Sequence, residues 1–468
     1  MSHGVNAKKV STVTPALTIA DSGIPFYIGA SPLQAAASPA KVGVPVLCES
    51  FAEAKEKLGY SDDWASYPLC EAMDVHFRLY GVSPAIFCNL LDPATMEEAV
   101  EAADVPVEDG RAQLPGDAIH DESLVVKAQG GTGETYQEGT DYSAYYGEDG
   151  GLVLELTADG AAAQAKQLNV AYHRATPASV TADEVAAGLS AIHACMTTVG
   201  RIPDLICAPG CSQDAALAAV MEEMTYVCDA FSAKAVIDIE GAATYAEAIA
   251  KKEELGLTGD DQIVCWPRVL KDGKAYHRSV HLCALMAQVD YGNGGCPYES
   301  PSNKEMQADG MALEDGTEVS LTLDEARALG KAGIVTGLHA FDRWVAFGNY
   351  TAGRPDNSNA EDTLIPTSRM FAWIGNTLVR TFWERVDKPL SRVLIDTIMD
   401  EANLWLNGLF GEGKLLGASV EAPAEENTAE SLAEGILRFR VTVTPPPPAQ
   451  EISFTIVYDK SAIASALA

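Results

Sequence analysis

The side chains that could do chemistry are few, and their spacing suits it poorly. His277 and His281 stand one helical turn apart, with Cys283 nearby. Two imidazoles on one helix face hold a zinc ion only when further ligands arrive from elsewhere. No Cys/His cluster of that spacing follows, so both read as ordinary histidines on a helix face. Cys207 and Cys211 bracket Ala-Pro-Gly at a strand end and read as structural thiols rather than a redox pair. The chain has ten cysteines and no CxxC pair. Cys48, Cys88, Cys207 and Cys265 lie inside apolar, strand-like runs, which fits reduced thiols used as small core residues in a cytoplasmic folding environment. Gly292-Asn-Gly-Gly295 is glycine-rich, but no helix of suitable pattern opens after it, so it reads as a turn and not a phosphate cradle. There is no P-loop, GxSxG elbow, HExxH helix or EF-hand loop. With 66 acidic residues, the proximity of any two carboxylates carries almost no information. The expectation is no enzyme, no catalytic residues, no cofactor and no metal.

The elements that would position such groups come from a chain of 468 residues, about three domains' worth. Hydrophobic residues are 47% and charged residues 21%, a globular composition with material for a sizeable core. Acidic residues outnumber the 32 basic ones, giving a net charge of −34. Such a chain repels nucleic acid and anionic lipid, so neither is expected as a partner, and no membrane insertion is expected. No apolar run approaches the roughly 18 residues a spanning helix needs. The opening MSHGVNAKK lacks an apolar signal core, so secretion by that route is not expected.

Ile24–Gly29 and Pro84–Leu91 read as buried strands, with helical spacing over 50–58 and 66–80 between them. From Thr181, helices (182–199, 213–231, 244–255, 278–291, 323–330) alternate with strands (204–208, 234–239, 262–266, 333–338), which predicts a mainly parallel sheet covered by helices. Between these stretches the style changes. Residues 92–160 hold 17 Asp or Glu against two basic residues, Arg111 and Lys127. Glycine-rich turns separate short alternating strands at 124–127, 152–156 and 168–172. Two helical stretches follow at 364–386 and 389–410. The expected fold is α/β multidomain: an N-terminal arm (1–22), an α/β middle domain (23–93 and 179–345), a β-rich acidic insertion (94–178), an α+β C-terminal domain (346–448) and a C-terminal arm (449–468).

The two ends are the informative part. In 12–19, Val13, Pro15, Leu17 and Ile19 share one face. Pro15 cannot donate to a ladder, which suits an edge or added strand. In 437–444, Phe439, Val441 and Val443 share a face; in 452–458, Ile452, Phe454, Ile456 and Tyr458 do. Pro445–Pro448 between them is a stiff polyproline spacer. A lone strand leaves its backbone groups unpaired and its apolar face wet, so each tail must pair at home or be donated to a neighbour.

The chain resembles the contractile tail sheath proteins of long-tailed phages, R-type bacteriocins and related injection machines. The resemblance runs nearly end to end. It is carried by His3-Gly4-Val5 with its Thr/Pro-rich arm, Ile24-Pro-Phe-Tyr-Ile-Gly-Ala-Ser-Pro32, and Thr140-Asp141-Tyr142 with Gly150–Leu154. Further along it is carried by Ile202–Gly210, Ser300-Pro-Ser-Asn303, Asn427-Thr428, Gly435 and Pro447–Ile452. No single motif is specific; their order and spacing carry the likeness. Gly353-Arg354-Pro355 is the best counterpart of the family's Gly-Arg-Thr element, and the four-proline run is more emphatic than the family pattern.

The resemblance implies a structural subunit that stacks as six-fold rings around an inner tube and donates its terminal strands to neighbours. The donated strands would be Ser11–Ile19 and Ile452–Tyr458, and the receiving sheet would include Leu437–Thr444. The helical pair would face the tube, with Arg385, Lys388, Arg392, Asp396 and Asp400 as tube-facing residues, and the acidic insertion would point outward. Implied partners are further copies of the chain, the tube protein, the baseplate and the tail terminator, in a virion tail assembled in the host cytoplasm. Two other readings stand beside it. One is an enzyme with a crevice near 209–213 or 267–273, where an open α/β sheet places its ligands. The other is an adhesin binding a receptor through 94–178.

Overall fold

The computed structural model describes residues 22–147, 150–227 and 230–459. Its centre is an eight-stranded sheet. Pro25–Gly29 lies inside it, parallel to Ala85–Asn89 on one side and to Leu205–Cys207 on the other. Lys234–Asp238, Gln262–Cys265 and Ile334–Ala340 follow outward, all parallel. Antiparallel strands close the two margins, Val46–Cys48 and Arg343–Phe347. The inner strands are near-continuous apolar runs because both faces are covered. Successive side chains point to opposite faces. Tyr27, Phe87, Cys207, Val236 and Ile263 therefore enter one core, and Phe26, Ile28, Ile86, Ile206, Ile237 and Val264 the other.

Local signals set the helices. Thr181, Asp214, Thr244, Thr322 and Ser391 each accept a backbone N–H from the first turn that follows. Thr322 and Glu325 form a reciprocal capping box. Two expected helices are corrected. The helix expected over 182–199 is α-helical only at Ala182–Gly188 and Cys195–Thr198, with a 3-10 stretch, Leu189–Ala194, between. Gly188 is a poor helix former, and the Ser190 hydroxyl donates back to the Ala187 carbonyl. The helix expected over 213–231 is Ala215–Glu223 only, after which Tyr226–Val227 pairs antiparallel with Phe231–Ser232. Thr225 donates its hydroxyl to the Glu222 carbonyl, and the β-formers Tyr226 and Val227 favour extension.

The segment between Asn89 and Ala182 forms two three-stranded antiparallel sheets. One joins Glu97–Pro106, Gln167–Ala175 and Val125–Ala128; the other joins Arg111–Leu114, Leu152–Leu156 and Tyr142–Tyr146. They enclose their own core of Leu114, Val126, Leu152, Leu154, Leu168 and Val170. The long edge strand Glu97–Pro106 had no signal in the sequence. It carries Glu97, Glu98, Glu101 and Asp104, and most of its residues are exposed.

The C-terminal part is a pair of helices, Ile365–Phe382 and Arg392–Gly411, over a two-stranded sheet of Gly417–Glu421 and Arg440–Thr444. The last strand begins at Arg440, later than the expected 437, because the Asn427 side chain takes up both backbone groups of Arg438. Val13, Pro15, Leu17 and Ile19 lie outside the described residues.

Candidate assembly site

Gly417–Glu421 and Arg440–Thr444 pair in register, with Val420 opposite Val441 and Ala418 opposite Val443. Phe439, Val441 and Val443 turn one face onto the helices, against a core of Met370, Trp373, Ile374, Ala402, Leu406 and Leu409. The alternation expected for that strand is thus present, and it is satisfied within the chain. The Gly417–Glu421 strand opposite it carries little apolar signal of its own.

The backbone is less complete than the side chains. The Val420 N–H donates to Asn403 Oδ1 at 2.9 Å, and Asn403 Nδ2 donates to the Val420 carbonyl at 3.0 Å. Both groups therefore point away from Arg440–Thr444. In an antiparallel ladder, the residue opposite such a position points its own pair outward on the other side. Val441, and Val443 two residues on, present their N–H and C=O groups along an edge with no paired strand among the described residues. Asn403, on the second long helix, seals one side of this small sheet and leaves the other bare.

Three other strand margins are guarded. Beside Arg343–Phe347, residues 303–306 exchange backbone hydrogen bonds with Trp344 and Ala346. At Val46–Cys48, Lys57 Nζ donates to the Leu47 carbonyl. The carboxylates on Glu97–Pro106 blunt that edge by charge. The bare margin of Arg440–Thr444 stands out against these.

Beyond it, Pro445 is buried, and residues 445–459 adopt neither helix nor strand. Ile452 is 71% exposed, Phe454 86%, Ile456 94% and Tyr458 72%. Among the described residues, the segment expected as a strand at the C-terminal end is therefore unpaired. Four large apolar side chains held in water are a face without a cover.

At the other end, the chain enters the fold through a buried ionic knot. Asp204 accepts the Gly23 and Ile24 amides at 3.0 and 2.7 Å. Asp290 accepts the Ser22 hydroxyl at 2.5 Å. Arg369, from the first long helix, reaches Asp204 at 2.8 Å and Asp290 at 2.6 Å. Burial alone would lower the Arg369 pKa, but Asp290 and Asp204 hold it above its ordinary value. Burial raises Asp290 despite the guanidinium beside it. Gly23 sits at φ +73°, and a Cβ there would lie 2.6 Å from the Ala287 Cα, so glycine is required.

Of the residues implied to face a tube, Arg385, Lys388 and Arg392 lie at the turn between the long helices, and Asp396 and Asp400 lie along the second of them. Arg385 pairs with Glu401 at 2.9 Å and Arg392 with Asp396 at 3.0 Å. Lys388 and Asp400 are exposed. Trp383, Val386 and Val393 are exposed at the same corner.

The crevice considered for an enzyme exists as a cleft of about 820 Å³, lined by Gly29, Trp64, Pro209, Gly210, Arg268 and His277 among others. Its ionisable groups are largely engaged with one another. His277 Nδ1 meets Glu71 at 2.6 Å, and Glu240 lies 3.4 Å from Nε2. Burial would lower the His277 pKa, but Glu71 and Glu240 carry it well above the ordinary value. His281, read as ordinary, is buried with its pKa pushed down to about 3 by burial and by Arg278. Among the described residues no cluster of three or more His, Cys, Asp or Glu side chains could hold a metal ion.

No protein-family model matches the chain. Among curated proteins, the tail sheath protein of Burkholderia phage BcepMu is 26% identical over 97% of this chain and 95% of its own length. The chain is similar to tail sheath proteins over nearly its whole length. The tail sheath protein of Escherichia phage P2 is 24% identical over 57% of this chain and 66% of its own. Among solved structures, the contracted helical sheath of the anti-feeding prophage superposes with a TM-score of 0.59 at 14% identity, covering 98% of this chain and 99% of that one. The contracted sheath complex of an extracellular contractile injection system gives 0.58 at 13%, over 99% of each. A sheath tail protein from Desulfitobacterium hafniense gives 0.53 at 14%, over 90% of this chain and 93% of that one. The α/β multidomain architecture with a large mixed sheet is that of these sheath proteins.

Proposed function

We propose that this chain is the structural subunit of a contractile tail sheath. It polymerises as stacked six-fold rings around an inner tube, and its contraction drives the tube through a target envelope. Neighbouring copies are joined by β-strand addition, through Val13, Pro15, Leu17 and Ile19 of one arm and Ile452, Phe454, Ile456 and Tyr458 of the other. The acceptor is the bare edge of Arg440–Thr444, with Phe439, Val441 and Val443 as its packed face. The observation that carries this reading is the coexistence of an unguarded strand edge and a fully wet apolar strand sequence in one chain. Each supplies what the other lacks. A surface that accepts a tail from one neighbour while giving its own to another is heterologous, and heterologous contacts that do not close make helical polymers.

In this reading Arg385, Lys388, Arg392, Asp396 and Asp400 face the tube, and the acidic insertion faces outward. The baseplate and tail terminator are partners, and the chain resides in a virion tail assembled in the host cytoplasm. The work comes from a metastable polymer relaxing to better contacts, the paired ladders persisting while the tethers rotate.

Deleting 1–20 or 449–468 tests it. Each truncated protein is expected to keep its far-ultraviolet circular dichroism and to form no tubes in negative-stain micrographs. Tubes from either truncation would end the strand-donation reading.

A further inference from the structure

The four prolines at 445–448 are unexplained by strand donation alone, since a flexible tether would also let an arm reach a neighbour. We infer that this run keeps the C-terminal arm from pairing with its own chain's edge, and so makes the occupant of that edge a second copy. The inference rests on the strand-donation reading and specifies what enforces it.

An arm that follows an open edge directly in sequence has an obvious home. The antiparallel register that sets Ile452, Phe454 and Ile456 opposite Val443, Val441 and Phe439 leaves 444–451, eight residues, as the connection. Eight residues of ordinary composition make a hairpin loop without difficulty. The backbone ladder, the apolar face and the high local concentration would all favour closure within one chain. Yet the arm lies unpaired, with Phe454 and Ile456 at 86% and 94% exposure.

The composition of the connection accounts for this. Polyproline advances about 3.1 Å per residue and does not reverse, so four steps from Thr444 carry the chain about 12 Å past the strand end. Only Ala449, Gln450 and Glu451 remain before Ile452. Those links would have to run straight back at about 3.3–3.6 Å per residue merely to cover the distance, leaving no residues to make the turn. The start of the run is also fixed. Pro445 is buried, and the Leu416 N–H donates to the Thr444 carbonyl at 2.8 Å, so the strand end cannot swing to shorten the path. Prolines further lack the amides a tight turn would use.

The test is a full-length variant with a turn in place of the rod, Pro446→Asn with Pro447→Gly. Asn-Gly supplies the positive φ that a reversal requires. In dilute protomers the Val441 and Val443 amides are expected to exchange at least tenfold more slowly in the variant than in the wild type, because the arm now covers its own edge. The variant is expected to form few or no tubes at concentrations where the wild type polymerises. A variant that polymerises like the wild type, with unchanged exchange at Val441 and Val443, overturns the inference. The 449–468 deletion separates the two ideas. If it abolishes tubes while the Asn-Gly variant still forms them, the role of the prolines fails and strand donation stands; if the deletion itself forms tubes, both fail.

Discussion

Replacing Arg369 by methionine keeps the aliphatic stem and removes the charge from the knot where the chain enters the fold. Asp290 has no solvent exposure, and the side chain of Arg369 has 3%. Breaking a buried ion pair by removing one member costs about 3–5 kcal/mol, because the other is left charged in a poorly solvating site. Asp204 softens the loss little, since it keeps the Gly23 and Ile24 amides and is itself mostly buried. Equilibrium urea unfolding at pH 7, followed by tryptophan fluorescence, is expected to show that loss. Burial already raises the Asp290 pKa, and without Arg369 it rises further. A carboxyl whose folded pKa lies above its unfolded value favours the folded state at low pH and disfavours it as pH climbs through the folded pKa. The difference between variant and wild type is therefore expected to shrink as pH falls through the carboxylate range. Adding Asp290→Asn should restore at least half the loss, since no buried charge then faces methionine. A loss below about 1 kcal/mol, the scale of an exposed pair, with no pH dependence, would refute the account of this cluster as a buried network.

Other substitutions probe other joints. Gly23→Ala forces a Cβ to within 2.6 Å of the Ala287 Cα at φ +73°; a loss of roughly 2 kcal/mol or more in urea unfolding is expected, well above the usual cost of filling a glycine site. Asn403→Ala strips both backbone partners from Val420 and should cost about 1–3 kcal/mol, with faster exchange of the Val420 amide as its signature; unchanged exchange there would contradict the sealed-edge geometry. His277 has a raised folded pKa, so its contribution to stability is full below about 6.5 and is lost as pH rises through the folded value. His277→Gln should flatten that alkaline decline in a series of urea titrations from pH 6 to 10, and an unaltered slope would assign the decline to another group.

The sheet was legible where burial writes itself into composition. Pro25–Gly29, Ala85–Asn89 and Gln262–Cys265 are apolar on both faces, so their runs announce themselves without context. The start at Ala182 was legible through Thr181, whose hydroxyl acts locally, whereas the helix expected from 389 begins only at Arg392, after the Ser391 cap. Legibility failed where a tertiary partner decides. Glu97–Pro106 is a strand only because Gln167–Ala175 pairs with it, and nothing in its acidic sequence asks for extension. Gly417–Glu421 likewise takes its place from Asn403, a partner on a separate helix. The candidate site divided the same way. The alternation at Phe439, Val441 and Val443 marked a face that packs on the helices, and the apolar residues from Ile452 to Tyr458 marked a segment that stays exposed. Which margin was bare could not be read from the sequence, because one asparagine on a separate helix distinguishes the two sides. The ionic knot at Ser22–Ile24 had no sequence signal at all, since Asp204, Asp290 and Arg369 are isolated charges among nearly a hundred.

The asymmetry of that small sheet has a consequence for growth. A ribbon open on both sides could recruit from either direction and would branch, tangle or precipitate. If copies join by the strand addition proposed above, Asn403 acts as a stopper on one flank and recruitment has a single address per copy. Errors in assembly would then take the form of vacancies rather than forks, and a vacancy can still be filled by the next arrival.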